Sequence, residues 1–539
     1  MRLASVIAVA LLAGSAAGQT ISVVSSPHDL SASSTADIRA STESEICVFC
    51  HTPHNASPVA ALWNRSLSPQ AYSIYTSRAL DAHPGQPTGS SKLCLSCHDG
   101  TIALGSVLSR STPIQMQGGV TTMPLGHGNL GTDLRDDHPI SFQYDGALAA
   151  RDQRLRSPGA IDPALKLDSN RELQCTTCHE PHNNAFGSFL AMRNTSSELC
   201  VSCHQMGATD ISGHAQCIDC HQSHSAPSGP YLLRAATTTL TCIRCHDGSD
   251  KFATNIAIEL HEIANHDNNP QVDPSLAPNK VMDCASCHEP HTMMRGVGAT
   301  PAQTTGPRRT AFGRLGRVSG VNSAGSPVQP ANEEHEVCFK CHADQNPVVA
   351  TLPRRQQQSN MQWQFNGSAI SSHAVGQPGR AMDVPSLRPG WTTASTMECS
   401  DCHGPNSGLT AGVHGSSNPG LLVARLSTQD YSSESESNYA LCYRCHDRTN
   451  ILSNASFSEH NRHIVQARTP CTVCHDSHGI ALSSGSISGN AHLVNFQTDV
   501  VFPDQATGRL EYRTTGARSG ECFLNCHNQN HSGTRYPVP

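Results

Sequence analysis

At twelve places in this sequence a histidine directly follows the second of two closely spaced cysteines. Eleven sites read Cys-x-x-Cys-His: Cys47, Cys50 and His51; Cys94, Cys97 and His98; Cys175, Cys178 and His179; Cys200, Cys203 and His204; Cys217, Cys220 and His221; Cys242, Cys245 and His246; Cys284, Cys287 and His288; Cys338, Cys341 and His342; Cys399, Cys402 and His403; Cys442, Cys445 and His446; Cys471, Cys474 and His475. The twelfth, Cys522, Cys526 and His527, has one more residue between its cysteines and is expected to close through a less regular turn. Two thiols so spaced add to the two vinyl groups of one haem and fix the porphyrin edge to the chain. The adjoining histidine then reaches the iron as proximal ligand. The twelve pairs use all 24 cysteines, which implies twelve haem c groups with their iron. A disulfide scaffold gives no reason for a histidine after every second cysteine. Structural zinc usually draws a second cysteine pair from a separate segment, and adjacent Cys and His are awkward ligands for one ion.

With twelve of the 31 histidines proximal, nineteen remain for the opposite faces of the irons. Numbering the sites in chain order, five odd ones carry a second histidine three positions after the first: His54, His182, His224, His291 and His478. That offset is about one helical turn, on the same side of the chain as the proximal ligand. Its own haem stands in the way, so such a histidine is expected to ligate a neighbouring haem and hold two haems close. The ninth site reads CHGPN, and His414 is its nearest later candidate. A histidine also precedes each odd site: His28, His138, His214, His266 or His261, His373, and His463 or His460. Six upstream and six downstream histidines make twelve distal candidates, so irons with two histidines are the expectation. His83, His127, His335, His492, His531 and one of each alternative pair are left over. Methionine is the rival axial ligand, and Met206, two residues after His204, is the one best placed. Four of the six even sites put an apolar residue, Leu93, Leu199, Val337 or Leu441, before the first cysteine. Odd and even sites thus alternate, in six repeats of two haems.

The elements that must position these sites are sparse. In a chain of 539 residues aromatics make up 4% and charged residues 15%, beside 41 Gly and 33 Pro. Few large side chains remain to build an ordinary core. Tethered haems supply large, flat apolar surfaces instead, so folding is expected to depend on haem insertion. The expected fold is mostly irregular coil with short helices and few strands, wrapped around a continuous stack of twelve haems. Residues 101–137, 292–332, 346–397, 404–438 and 479–520 read as long loops. Residues 140–144 alternate like a strand, and the haem segments read as single helical turns. First cysteines lie 25, 17 and 25 residues apart over sites three to six, the tightest part of the chain. The expected organisation is a signal peptide at 1–18, a di-haem unit with a long loop at 19–150, and a tetrahaem block at 151–250. Further di-haem units follow at 251–350, 351–455 and 456–539. Arg295, Arg308, Arg309, Arg314 and Arg317 read as a solvated face whose guanidinium forks suit haem propionates.

Residues 6–13 form an apolar run too short to cross a bilayer, and Ser15, Ala16, Ala17 and Gly18 supply small residues for cleavage near Gln19. Export is the expectation. No cysteine follows closely to take a lipid, and no later segment reads as a transmembrane anchor. A net charge of −7 makes neither nucleic acid nor an anionic membrane an obvious partner.

The segments CVFCHTPHNA, LCLSCHDGT and CHEPHN, with HDLS upstream, resemble the paired, or doubled, CxxCH multihaem c-type cytochromes of metal-respiring and other anaerobic bacteria. The resemblance covers nearly the whole mature chain and includes extracellular cytochrome nanowires and electron conduits. It implies a coil protein around a continuous haem stack with bis-histidine irons. Such a protein serves extracellular or periplasmic electron transfer, with other cytochromes and with electron donors or acceptors at or outside the cell surface as partners. Some relatives form homopolymers in which one protomer gives a histidine to a haem of the next, and His28 would be that donor here. The CHGPN site and the wider Cys522 and Cys526 spacing depart from the pattern and leave the distal ligands of haems nine to twelve open. The expected function is electron hopping along the haems, with no catalysis of its own. The competing class, a multihaem reductase of a small oxyanion or nitrogen compound, needs an iron with an open position. No Cys-x-x-Cys-Lys occurs, and the histidines suffice to fill every position.

Overall fold

Few stretches of this sequence hold one periodicity long enough for a helix or strand, and the fold is correspondingly irregular. The computed structural model describes residues 22–206, 214, 216–266, 282–291, 315, 317–343, 352–482 and 490–536, apart from positions 59, 127, 382 and 517. The expected signal peptide, His127 and all but Arg317 of the arginine-rich loop lie outside the described residues. The longest helices are α1 (Gly89–His98), α2 (Thr238–His246) and α3 (Glu334–His342). Each ends in an even haem motif. Thr237 caps α2 by accepting from the Leu240 amide, and Glu333 and Glu336 form a capping box on α3, so side chains take up amides left open at the first turn.

Among the described residues strand pairing is limited to two-residue ladders, such as Phe142–Gln143 with Glu172–Leu173, and single bridges, except near the C-terminus. There β1 (Val501–Phe502), β2 (Glu511–Gly516) and β4 (Gln529–Tyr536) each pair antiparallel with β3 (Ser519–Cys526). The irregular turn expected between Cys522 and Cys526 is not there; both cysteines lie on β3. Apolar Leu510, half-buried Tyr512 and buried Leu524 give this segment a packed face, and pairing on both edges keeps it extended.

The chain divides into two units, residues 1–206 with 216–236, and residues 207–215 with 237–539. The first holds sites one to five and the second sites six to twelve. Among the described residues neither has a single apolar core; most of the small clusters include motif cysteines. In the first unit Phe49, Leu104 and Met116 pack with Cys50 and Cys97, and Phe142, Tyr144 and Leu173 with Cys203. In the second, Phe339, Phe365 and Val375 pack with Cys399, and Val473, Phe496 and Leu524 with Cys474, Cys522 and Cys526. Fully buried Arg65 donates to the carbonyls of Leu104, Ala103 and Ser96 at 2.6, 2.9 and 3.2 Å, satisfying loop backbone that no regular structure pairs. Among the described residues no helix is long and apolar enough to cross a membrane.

Candidate haem sites

The eleven Cys-x-x-Cys-His sites share one local geometry. At eight of them the amide of the motif histidine donates to the carbonyl of the first cysteine: His51, His179, His204, His221, His288, His403, His446 and His475 do so at 2.8–3.0 Å. At the other three the histidine ends α1, α2 or α3. A helical turn therefore brings both thiols to one side; at sites such as His179 (φ −121°, ψ 136°) and His475 (φ −104°, ψ 137°) the chain leaves it extended, whereas His98, His246 and His342 are still helical.

Five odd sites add a clasp that sequence reading missed. An apolar residue in the left-handed region, Leu62, Phe189, Leu232, Leu421 or Leu493, accepts from the amide just after the motif histidine. Two residues further on, an amide (Asn64, Ala191, Arg234, Val423 or Asn495) donates to the carbonyl of the second cysteine at 2.8–3.0 Å. The same turn offers a carbonyl to the motif imidazole: Nδ1 of His179, His221, His403 and His475 donates to Ser188, Tyr231, Gly420 and His492 at 2.9, 2.7, 2.8 and 2.8 Å. A carbonyl can only accept, so these rings carry their proton on Nδ1 and present a bare Nε2. That is the tautomer and the outer contact a metal-bound histidine needs.

Opposite these rings stand others. In the first unit His51 faces His182, His98 faces His28, His179 faces His224 and His204 faces His138, with ring centres 6.0, 6.1, 6.0 and 6.2 Å apart. In the second, His246 faces His214 (6.2 Å), His288 faces His414 (6.1 Å), His403 faces His478 (6.0 Å), His446 faces His373 (6.4 Å) and His475 faces His460 (6.4 Å). Two imidazoles bonded to one metal through Nε2 at about 2 Å have ring centres roughly 6 Å apart. Buried His342 is pushed down to about 4 by desolvation and then by the charges of His266 and His403. The second ring of a pair is anchored in the same way: His28, His138, His266 and His373 donate from Nδ1 to the carbonyls of Pro181, Pro139, Val413 and Ser477 at 3.2, 3.0, 2.6 and 2.8 Å. His182 and His224 use the carboxylates of Glu180 (3.1 Å) and Asp137 (3.0 Å). Burial lowers most of these imidazoles, His446 and His478 to about 4 and His460 to about 3, so they are neutral and able to ligate. At His224 burial is outweighed by Asp137, and the net direction is up.

The pairs obey a register. Four even-site histidines face a histidine that precedes the previous odd site, His28, His138, His214 and His373, and His266, which holds that place before site seven, acts electrostatically on His342. Odd-site histidines one, three, seven and nine face one from the next odd site: His182, His224, His414 and His478. At site eleven the histidine facing His475 is His460. His54, of the first site, is exposed and faces no motif histidine among the described residues of its unit. His463, set in one π-helical turn (Arg462–Gln466), faces His531 at 6.4 Å. His28, expected as a donor to another protomer in a polymer, faces His98 of its own chain and stacks on Phe189 at 4.0 Å. His204 faces His138, not Met206. Left-over His335 is buried with both ring nitrogens engaged, by Glu398 (2.9 Å) and Ser323 (3.2 Å).

Cysteines meet from site to site. The thiols of Cys94 and Cys175, Cys200 and Cys217, Cys242 and Cys284, Cys338 and Cys399, and Cys442 and Cys471 are electrostatic neighbours, which sets each even site beside the next odd one. Burial pushes Cys50, Cys178, Cys402 and Cys474 up to about 12, with Cys97, Cys203, Cys445 and Cys526 the next contributors, joining odd sites to the even sites that follow. Lys340 ties sites seven and eight by donating to the Ser286 carbonyl at 2.6 Å. Sites one to five are therefore contiguous in the first unit, and six to twelve in the second. Thiol pairs on helical turns, imidazole pairs one metal apart and apolar walls at the cysteines fit haem c.

Three segments, residues 169–209, 212–251 and 393–451, match the family described as Doubled CXXCH motif. No curated protein matches the chain. The doubled motif makes this chain similar to multihaem c-type cytochromes of electron transfer and implies covalently bound haem c with its iron.

Proposed function

We propose that this chain, which carries the doubled CXXCH motif, is a dodecahaem c-type cytochrome that passes electrons along adjoining bis-histidine haems. The observation that carries the reading is the imidazole pairs, about 6 Å apart, with attachment cysteines of successive sites as electrostatic neighbours. Bound haem supplies one-electron chemistry at iron. The chain's residues hold and orient it: helical turns present thiols in pairs, carbonyls fix the ring nitrogens, and burial keeps water off. Histidine on both faces, in place of methionine, favours low potentials. The protein acts outside the cytoplasm, at the outer cell surface or in the periplasm, relaying electrons between other cytochromes and terminal donors or acceptors, and it is not an enzyme. Polymerisation into a conductive filament is a finer form of this reading. It requires that successive copies join without His28, which is engaged within its own chain.

Mass spectrometry of the mature protein should give the polypeptide plus twelve haems and no free thiol. With reductant for only a few haems, electrons should redistribute over the whole set within the mixing time. A mass equal to bare polypeptide ends the reading. High-spin ferric haem in the resting protein, with turnover of nitrite or another small oxyanion, would shift it to a reductase.

A further inference from the structure

The motif at the twelfth site is built unlike the others, and its histidine points elsewhere. Cys522, Leu524 and Cys526 alternate along β3, so the strand's two-residue period puts them on one face. That face packs on Val473, Phe496 and Cys474 of the eleventh site. The chain then reverses through His527 and Asn528, which have φ of 49° and 63°. Two left-handed residues between paired strands make a type I′ hairpin turn. His527 is therefore a turn residue. Its Nε2, the atom that would reach an iron, lies 2.9 and 3.1 Å from the two carboxylate oxygens of Asp430, and its ring stacks on Tyr431 at 4.5 Å.

Across the ladder, Leu524 pairs with His531. Residues directly opposite in an antiparallel pair share a face, so His531 stands on the cysteine face, level with the midpoint between the two thiols. Its ring centre is 6.4 Å from that of His463, the same separation as at His446 with His373 and His475 with His460. Its Nδ1 shares a 2.8 Å hydrogen bond with the Tyr536 hydroxyl, and His463 donates from Nδ1 to the Glu459 carbonyl at 2.9 Å, so both Nε2 atoms remain to ligate. His463 is also the upstream histidine that the register assigns to the last even site. We infer that the twelfth haem is attached through Cys522 and Cys526 but ligated by His463 and His531, while His527, held by Asp430, closes the hairpin. The inference rests on the haem reading above.

The test uses the full-length, haem-loaded protein and its oxidised electron paramagnetic resonance and optical spectra. His531→Ala should convert one haem equivalent from low to high spin, and added imidazole should reverse the change; His527→Ala should leave every haem low-spin. A high-spin haem in His527→Ala, alone or together with His531→Ala, overturns the assignment, as does none in His531→Ala. Where an alanine variant loses the haem itself, two milder changes decide. Tyr536→Phe should change the low-spin g values of one haem while Asp430→Asn, whose charge acts on the haem site only through space, changes none; any other pattern of g values overturns the assignment. Haem counting by mass separates the two failures: no covalent haem defeats the cytochrome reading, whereas twelve haems with His527 as ligand defeats only this assignment.

Discussion

Sites eleven and twelve share one apolar cluster, yet they present their cysteines in opposite ways. At the eleventh, Cys471–Cys474 is a helical turn, His475 leaves it extended, and a clasp from Leu493 and Asn495 fixes the imidazole. At the twelfth the cysteines lie along a strand and the next residue is a hairpin turn. A helical turn sets side chains three apart about 5–6 Å from each other. Four residues of strand span about 13 Å, so thiols on β3 must lean towards one another to serve one ring. The contrast separates two properties usually read together from the motif. Attachment follows from the thiols being on one face, whereas ligation follows from the backbone that carries the histidine.

The largest expected effect of this difference is on folding. Cys399 packs against the apolar cluster of Phe339, Phe365 and Val375, and Cys399 and Cys402 are electrostatic neighbours of the cysteines of the sites on both sides. Replacing both with serine should remove a wall that several loops share and lower the yield of protease-resistant haem protein by about tenfold or more. The pair Cys522→Ser and Cys526→Ser acts at the end of the series and should give a folded protein lacking one haem. Limited proteolysis with haem counting compares them, and equal losses would mean that the hairpin site is as integral as a helical one.

An intermediate effect is expected from the distal side, where the two kinds of site should behave alike. His478 faces His403 at a helical site, and His463 faces His531 at the hairpin. His478→Met and His463→Met should each raise the potential of one haem by on the order of 100 mV, within the roughly 0.8 V that axial ligands span. Spectroelectrochemical titration reads the shift. A response at His478→Met alone would remove His463 from the twelfth iron.

The helical half of this comparison is largely legible in the sequence, because attachment chemistry is local: the spacing of Cys471, Cys474 and His475 is itself the instruction. The mainly irregular fold also follows from the shortage of aromatic side chains. Which imidazoles meet is less legible, since the pairs join residues as far apart as His51 and His182. The upstream alternatives His460 and His463 both find a ring, and no local signal says which of them meets His475 and which His531. The clasp is hidden because leucine and phenylalanine occupy left-handed turns where glycine or asparagine would have announced them. Only Gly187, Gly229 and Gly420, just upstream of three of the clasps, hint at it. The hairpin is masked because a Cys-His motif reads as a turn unless the alternation of Leu510, Tyr512 and Thr514 is weighed against it.

The smallest effect is the sharpest discriminator. If His527 serves only as the first residue of a type I′ turn, asparagine should suit that position better, because asparagine enters the left-handed region at less cost. Its amide can still donate to Asp430, so part of the present hydrogen bond survives. His527→Asn should therefore change hairpin stability by no more than about 1 kcal/mol, in the stabilising direction, and leave the spectrum low-spin. His475→Asn, at the same motif position on a helical turn, should cost one low-spin haem. Hydrogen exchange at the amides of β3 and β4 measures the first, and the oxidised spectrum measures both. Matching spectral losses in the two variants would show that the histidine of the motif ligates whatever backbone carries it, and the distinction between turn and hairpin would fall.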